Sequence, residues 1–166
     1  ASDVYKRQVL YSGLISGDTF NGSYTGAFSN ANVGTGKTVT ITSSYTGADV
    51  NNYSVTDQSS TTADISTKAL TATASTSNKT YDGGTTASTT LTFTGLVGSE
   101  TLGQTVGSTF DNKNVGTGKT VTVNSITLAD GSGLAANYSI SAGQTTTANI
   151  TPKALTVSGI TASNKT

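Results

Sequence analysis

The 166-residue chain has no cysteine, histidine, methionine or tryptophan, and only one proline (Pro152), one arginine (Arg7) and one glutamate (Glu100). Each absence removes a chemistry. Without Cys and His there is no thiol or imidazole nucleophile or base, and the usual zinc ligands are missing. Ser and Thr abound, but no His and no Lys in an activating motif stands ready to make them nucleophiles. A lone Glu and scattered Asp suggest no catalytic carboxylate pair. The sequence therefore reads as non-catalytic and cofactor-free. Lys plus Arg and Asp plus Glu balance at 9 each, so neither nucleic acid nor an anionic membrane surface is expected as a partner. No apolar run reaches the roughly 18 residues of a spanning helix. Absent cysteine suits a chain exported unfolded through an oxidising space.

What is present is Thr and Ser, 35 and 22 residues, with 19 Gly. Leu, Ile, Val and Phe together supply 32 residues, close to the level at which burial no longer offsets ordering entropy. Disorder usually accompanies high net charge, which is absent. The apolar residues are mostly β-branched or aromatic and regularly spaced, which points to a thin-cored β fold.

Repetition is the most informative feature. NVGTGKTVTI at 32–41 returns as NVGTGKTVTV at 114–123, and GLISGDT at 13–19 as GLVGSET at 95–101, both offset by 82. NYSV at 52–55 returns as NYSI at 137–140, TTADIS at 61–66 as TTANIT at 146–151, and KALT at 68–71 again at 153–156, all offset by 85. The three extra residues fall in the loop before NYS. SNKT at 77–80 recurs at 163–166. The expected unit is thus about 85 residues. Residues 9–66 form a truncated copy, 67–151 a complete one and 152–166 the first strand of a third. Both ends read as cuts through a longer array.

Alternation of apolar and polar residues marks strands throughout the complete copy. Leu70, Ala72 and Ala74 mark a first strand, and Leu91 and Phe93 a second. Val106 and Phe110 mark another, then Val121 and Val123. Ile126 and Leu128 continue out of phase, which calls for a bulge near Asn124-Ser125. Tyr138 with Ile140, and Ala148 with Ile150, mark the last two strands. About seven short strands without helical periodicity predict an antiparallel β-sandwich of immunoglobulin type. Tyr138 and its counterpart Tyr53, each preceded by Asn (Asn137 in the complete copy), read as corner tyrosines whose hydroxyl bonds to backbone. Pro152 lacks an N–H and ends one ladder before the next KALT strand.

KALTATASTSNKTYDGGTTAS, followed by KNVGTGKTVTV, NYSI and TTANITPKALTV, closely resembles the YDG-type, mostly bacterial immunoglobulin-like (MBG) repeats of large filamentous-haemagglutinin-type secreted adhesins. The resemblance covers residues 9–166. Tyr81-Asp82-Gly83, Asn114-Val115-Gly116, Gly118-Lys119, Asn137-Tyr138 and Thr151-Pro152-Lys153 fall in the family's order. It implies tandem sandwich repeats at the bacterial cell surface, usually as stalk, with no catalytic residues. Ser66-Thr67-Lys68 replaces the family's Thr-Pro-Lys at the first junction.

Several motifs invite sharper readings. GTGKT at 34–38 and 116–120 resembles a phosphate loop, but the required first glycine is Ala31 or Lys113 and a strand follows, so a tight hairpin with Gly at positive φ is expected. Asp82 with Asn78 offers oxygen ligands. The plainer expectation is a turn in which Asp82 bonds its own backbone and Gly83 takes positive φ. LADGSG at 128–133 lacks the ligand spacing of a calcium loop. Lys119 and Lys153 lie beside strands, where an isopeptide bond to Asn would need an adjacent buried acid.

The opening ASDVYKRQ, residues 1–8, has no counterpart at the repeat offset. It matches, residue for residue, the translation of a transposase-type sequencing adapter, and is expected to be non-native. The expected function is a structural spacer whose partners are neighbouring repeats, each unit about 30–40 Å long given strand rise plus loops. The competing expectation is a weak glycan- or protein-binding module acting through avidity, with its specificity in the 43–51 and 125–136 loops.

Overall fold

The computed structural model describes residues 11–165; the expectations for residues 1–8, and the strand start at 9–10, lie outside them. Among the described residues the chain is built of strands, with two single-turn 3-10 helices at Val50–Asn52 and Ala135–Asn137. It divides into two compact units at Thr67/Lys68.

The first unit is one antiparallel sheet in the order β1 (Asn21–Phe28), β2 (Gly34–Thr46), β3 (Ser60–Ile65). The central strand alternates half-buried Val39 and Ile41 with exposed Thr38, Thr40 and Thr42. Pleating sends successive side chains to opposite faces, so threonine takes the wet face and the β-branched apolar residues the dry one. No described residue of this unit is among the fully buried apolar side chains.

The second unit contains β4 (Lys68–Ala69), β5 (Thr71–Thr76), β6 (Lys79–Thr80), β7 (Thr89–Thr94), β8 (Leu102–Phe110), β9 (Gly116–Asp130), β10 (Tyr138–Ser139) and β11 (Thr145–Thr151). A four-stranded sheet runs β6-β11-β9-β8, and two-stranded ladders join β5 to β7 and β10 to β4. Val121 and Val123 of β9, Phe110 of β8, and Ala148 and Ile150 of β11 are buried, and Ala87, Leu70, Leu91 and Tyr138 join them. Burying each Val, Leu, Ile or Phe among them contributes about 1.5–3 kcal/mol. Tyr81 packs on the cluster of Ala87, Phe110, Val121, Ala148 and Ile150.

The β7 and β8 strands are joined through side chains. The Gln104 carboxamide accepts from Leu91 N at 2.9 Å and donates to Leu91 O at 2.7 Å. It therefore satisfies both backbone groups of Leu91 as a neighbouring strand would. The buried Ser108 hydroxyl extends the link, lying 3.1 Å from Ala87 O and 2.7 Å from Thr89 Oγ1.

The expected bulge lies at Asn124: Gly107 faces Ser125 while Ser108 faces Val123, leaving Asn124 unopposed. The extra residue restores Ile126 and Leu128 to the inner phase. Other expectations change. Pairing is not purely antiparallel, because β10 runs parallel to β4 and β11 parallel to β6. The unit has eight strands where about seven are expected, and two of them, the two-residue pairings at Lys68–Ala69 and Lys79–Thr80, are too short to leave a periodic signal. Ile140 falls outside β10. At fifteen residues, β9 spans about 50 Å, longer than the 30–40 Å estimate. Residues 152–165 form no strand where one is expected. A strand without a neighbour leaves its backbone groups unpaired, and among the described residues none pairs with 152–165.

Candidate functional site

The motif residues fall into three clusters, each organised around one polar side chain. The first is the loop joining β8 to β9. Lys119 stands early in β9, and its Nζ lies 2.8 Å from Asp111 Oδ1 and 2.8 Å from Asn112 Oδ1. Asn112 Oδ1 also accepts from Asn114 N at 3.0 Å, an Asx turn. A Cβ on Gly116 would sit 3.4 Å from Lys119 Cγ and Cδ, so the lysine stem lies over that glycine. The Lys119 side chain is 9% exposed and Asp111 47%. The stem is covered while the ion pair reaches water. The Lys119 ammonium beside Asp111, helped by Asn112 N, holds that carboxyl below its ordinary value. An isopeptide bond requires a buried acid; Asp111 is exposed and binds the lysine as a counter-ion.

Gly118 lies at positive φ, 60°, within the end of the β8–β9 hairpin, as expected, but the hairpin is not tight: its pairing closes at Phe110 opposite Val121, with Asp111 N donating to Thr120 O at 2.9 Å. The same glycine forms a bulge on the β9–β11 ladder. Lys119 pairs with Ala148 and Gly116 with Ile150, so Thr117 and Gly118 together oppose Asn149. The Asn149 Oδ1 accepts from Gly118 N at 2.8 Å. The first unit builds the same device: Gly36 has φ 59° and donates to Asp64 Oδ1 at 2.7 Å, with the register shifting between Gly34 and Lys37. There Lys37 Nζ bonds Asn30 Oδ1. No helix N-terminus follows the glycines, and a strand backbone presents no phosphate cradle.

The second cluster is the Tyr-Asp-Gly turn. Tyr81 N donates to Thr151 O at 2.8 Å, anchoring the turn to the end of β11. Asp82 Oδ1 accepts from Gly84 N at 2.9 Å and Gly83 has φ 84°, the self-bonded turn expected from sequence. Lys79 organises it. Its Nζ lies 2.8 Å from Asp82 Oδ1, donates to Gly84 O at 2.9 Å and Thr86 O at 3.1 Å, and sits 5.7 Å from the centre of the Phe110 ring. This ammonium, with Gly84 N, holds the Asp82 carboxyl below its ordinary value. Asn78 Oδ1 is engaged elsewhere, accepting from Asn149 N at 2.7 Å. The turn's oxygens thus converge on an ammonium. Among the described residues no group of three or more His, Cys, Asp or Glu could hold a metal ion.

The third cluster centres on Tyr138, next to the Ala135–Asn137 turn. Its hydroxyl donates to Glu100 Oε2 at 2.5 Å and accepts from Val97 N at 3.1 Å. In the first unit Tyr53 donates to Asp18 Oδ2 at 2.6 Å and accepts from Ile15 N at 3.1 Å. The hydrogen bond to each carboxylate raises both tyrosine pKa values above their ordinary 10.0. A Cβ on Gly133 would lie 2.4 Å from Glu100 Oε2, so a larger residue there would make that carboxylate shift. In the LADGSG loop, Asp130 Oδ1 accepts from Ala135 N at 2.7 Å, which turns the chain into the corner. Pro152 directly follows β11, which ends at Thr151.

Sequence reasoning missed Lys79, Gln104, Asn149 and the partnership of Glu100. Two were legible: GLISGD and GLVGSE put an acid at the same repeat position, as TTADI and TTANI put a short oxygen-bearing side chain. Gln104 left no signal, because its repeat counterpart is Gly22. One open groove of about 550 Å³, lined in part by Leu70, Ala72, Ile140 and Gln144, accompanies these clusters. The Gln144 Oε1 is buried there without a hydrogen-bond partner. Among the described residues no helix is long and apolar enough to cross a membrane.

Comparison with known families matches the YDG domain model to residues 3–63 and again to residues 66–148. The chain belongs to the YDG domain family. No curated protein and no solved structure matches it.

Proposed function

We propose that the chain is a stretch of structural stalk. Two successive YDG units act as immunoglobulin-like antiparallel sandwich repeats of a large secreted bacterial surface adhesin, and they space a distal tip from the cell. One observation carries this reading. The motif side chains that could do chemistry are spent on folding: Lys79, Asp82, Lys119, Asp111, Tyr138 and Glu100 each bind another part of the same unit. The device at Gly118 recurs at Gly36 and that at Tyr138 recurs at Tyr53, as expected where the same mechanical part is used repeatedly. The partners of such units are neighbouring units of the same protein, and the location is extracellular.

The test is small-angle scattering of this chain and of a version carrying an added copy of residues 68–151. A stalk predicts that the maximum dimension grows by a fixed step of about 50 Å per unit, the length of β9. A globule whose dimension barely changes overturns the proposal. So does specific glycan binding that follows the 125–136 loop when it is exchanged, because the binding-module reading would then hold.

A further inference from the structure

The strands of the second unit meet along two seams, and only one of them is filled. Between β7 and β8, Gln104 supplies both hydrogen bonds of Leu91, and the Ser108 hydroxyl donates to Ala87 O. Between β5 and the segment after β10 the seam is open. There β4 and β10 pair for two residues, Tyr138 opposite Lys68 and Ser139 opposite Ala69, and Leu70 N adds one bond to Ser139 O at 2.8 Å. Beyond that point, among the described residues, no backbone hydrogen bond joins 71–76 to 140–144. The groove of about 550 Å³ begins where this ladder stops. Leu70, Thr71 and Ala72 stand on one wall, and Ile140, Ser141 and Gln144 on the other. The whole groove lies within residues 69–144, inside the second unit.

Both walls can receive a strand. Among the described residues β5 pairs with β7 alone. In that ladder Ser77 N bonds Ser88 O at 3.3 Å, and hydrogen-bonded pairs recur at every second residue. Residues 71, 73 and 75 therefore turn their backbone groups toward β7, while Ala72 and Ala74 turn theirs to the opposite edge. Leu91 shows the same phase from the partner strand. It faces Ala74 in the register, and its own N–H and C=O point away from β5 to Gln104. On the far wall, Gln144 Nε2 donates to Ser141 O at 2.8 Å, which fixes the other end of the carboxamide as the oxygen. That Oε1 is the one buried side-chain polar atom without a hydrogen-bond partner among the described residues. A buried acceptor left unpaired is costly, and such a group calls for a donor.

We propose that this groove takes an extended, uncharged peptide segment of a partner protein, which enters as an added strand between β5 and residues 140–144. Three features select that occupant. The groove has chain on both walls, so its occupant needs both of its own edges free. The β5 edge of a second copy, already paired with β7, offers only one. No lining residue is charged or aromatic, so an ionic ligand finds no counter-charge and a sugar finds no ring to stack on. Gln144 Oε1 lacks a donor, and an extended backbone carries N–H groups at regular intervals. Strand addition of this kind takes its affinity from main-chain hydrogen bonds and its specificity from the side chains that fit between them. Small lining residues such as Ala72 and Ser141 suit a segment of small side chains. The inference goes beyond the stalk reading and does not depend on it.

Titration of the isotope-labelled 166-residue chain with the peptide acetyl-Thr-Ala-Thr-Ala-Ser-Thr-amide, followed by amide NMR, tests this. Saturable shifts are expected at 69–72, at 139–144 and at the Gln144 carboxamide, with slowed hydrogen exchange at the Ala72 amide. Ala72→Pro removes the outward N–H, which the β7 ladder does not use and whose loss an edge strand tolerates. It should weaken binding by about tenfold. Ser141→Asp changes an exposed side chain, sets a charge beside the groove and should weaken binding as well. It decides the matter if Ala72→Pro melts below the unaltered chain. The same peptide with proline at alternate positions should not bind. Absence of any shift, shifts confined to other residues, equal binding of the proline peptide or undiminished binding by Ser141→Asp overturns the proposal. So does maltotriose moving these amides while the peptide moves none, because the groove is then a sugar site. None of these outcomes bears on the scattering step per unit, so the stalk reading is tested separately.

Discussion

At the scale of single residues, the chain uses charged side chains and the backbone freedom of glycine as fasteners. Gly118 is the clearest case, because its φ of 60° and its hydrogen bond to Asn149 belong to one bulge. Gly118→Ala is expected to cost about 1–2 kcal/mol, since an L side chain is strained in the left-handed region. Gly118→Asn should cost less, because Asn tolerates that region; urea denaturation midpoints of the two variants check the order. The carboxylates make a pH prediction. Asp82 and Asp111 are held below their ordinary 3.8 by Lys79 and Lys119. Their contribution is complete above that value and is lost as pH falls through the lower folded values. At alkaline pH the tyrosines act in the opposite sense. Tyr138 and Tyr53 are raised above 10.0, so stability declines as pH climbs past 10.0, where the unfolded chain ionises first. Melting across both limits should give a plateau with two falling limbs, and D82N/D111N should flatten only the acid one.

At the scale of elements, legibility followed the length of the repeating signal. Strands of six residues or more announce themselves by alternation, and even the Asn124 bulge was readable, because Val123 and Ile126 cannot share a face without it. The two-residue strands were not readable, since two residues carry no period. Nor was the parallel pairing of β6 with β11, which tertiary placement decides. The Lys119 loop was visible as a motif and its positive-φ glycine lies in the expected hairpin, but the bulge it also makes against β11, thirty residues away, was not legible, because a local motif does not name its distant partner. Gln104 shows the limit most directly. Its carboxamide replaces a backbone partner for Leu91, a role that residue type alone does not disclose. Gln104→Leu, similar in size, should cost about 1–3 kcal/mol by leaving the Leu91 amide and carbonyl unpaired. Amide exchange at Leu91 should rise sharply while that at Val121 stays slow.

At the scale of the whole molecule, the two units differ in how much they bury. Among the described residues all nine buried apolar residues, from Leu70 to Ile150, belong to the second unit. Calorimetry should resolve two transitions, with the first unit melting below the second. Ile150→Ala, at a site 1% exposed, should lower the upper transition by about 2–5 kcal/mol and leave the lower one in place. Independent melting of units is what a stalk requires, since a load then opens one unit at a time. Pulling single molecules that carry several copies of residues 68–151 tests the stalk claim most directly. A stalk of YDG units predicts a sawtooth of equal peaks. Each peak should release about 250 Å of chain, the extended length of one unit less its folded span. A smooth, peakless extension, or one peak for the whole array, would contradict it.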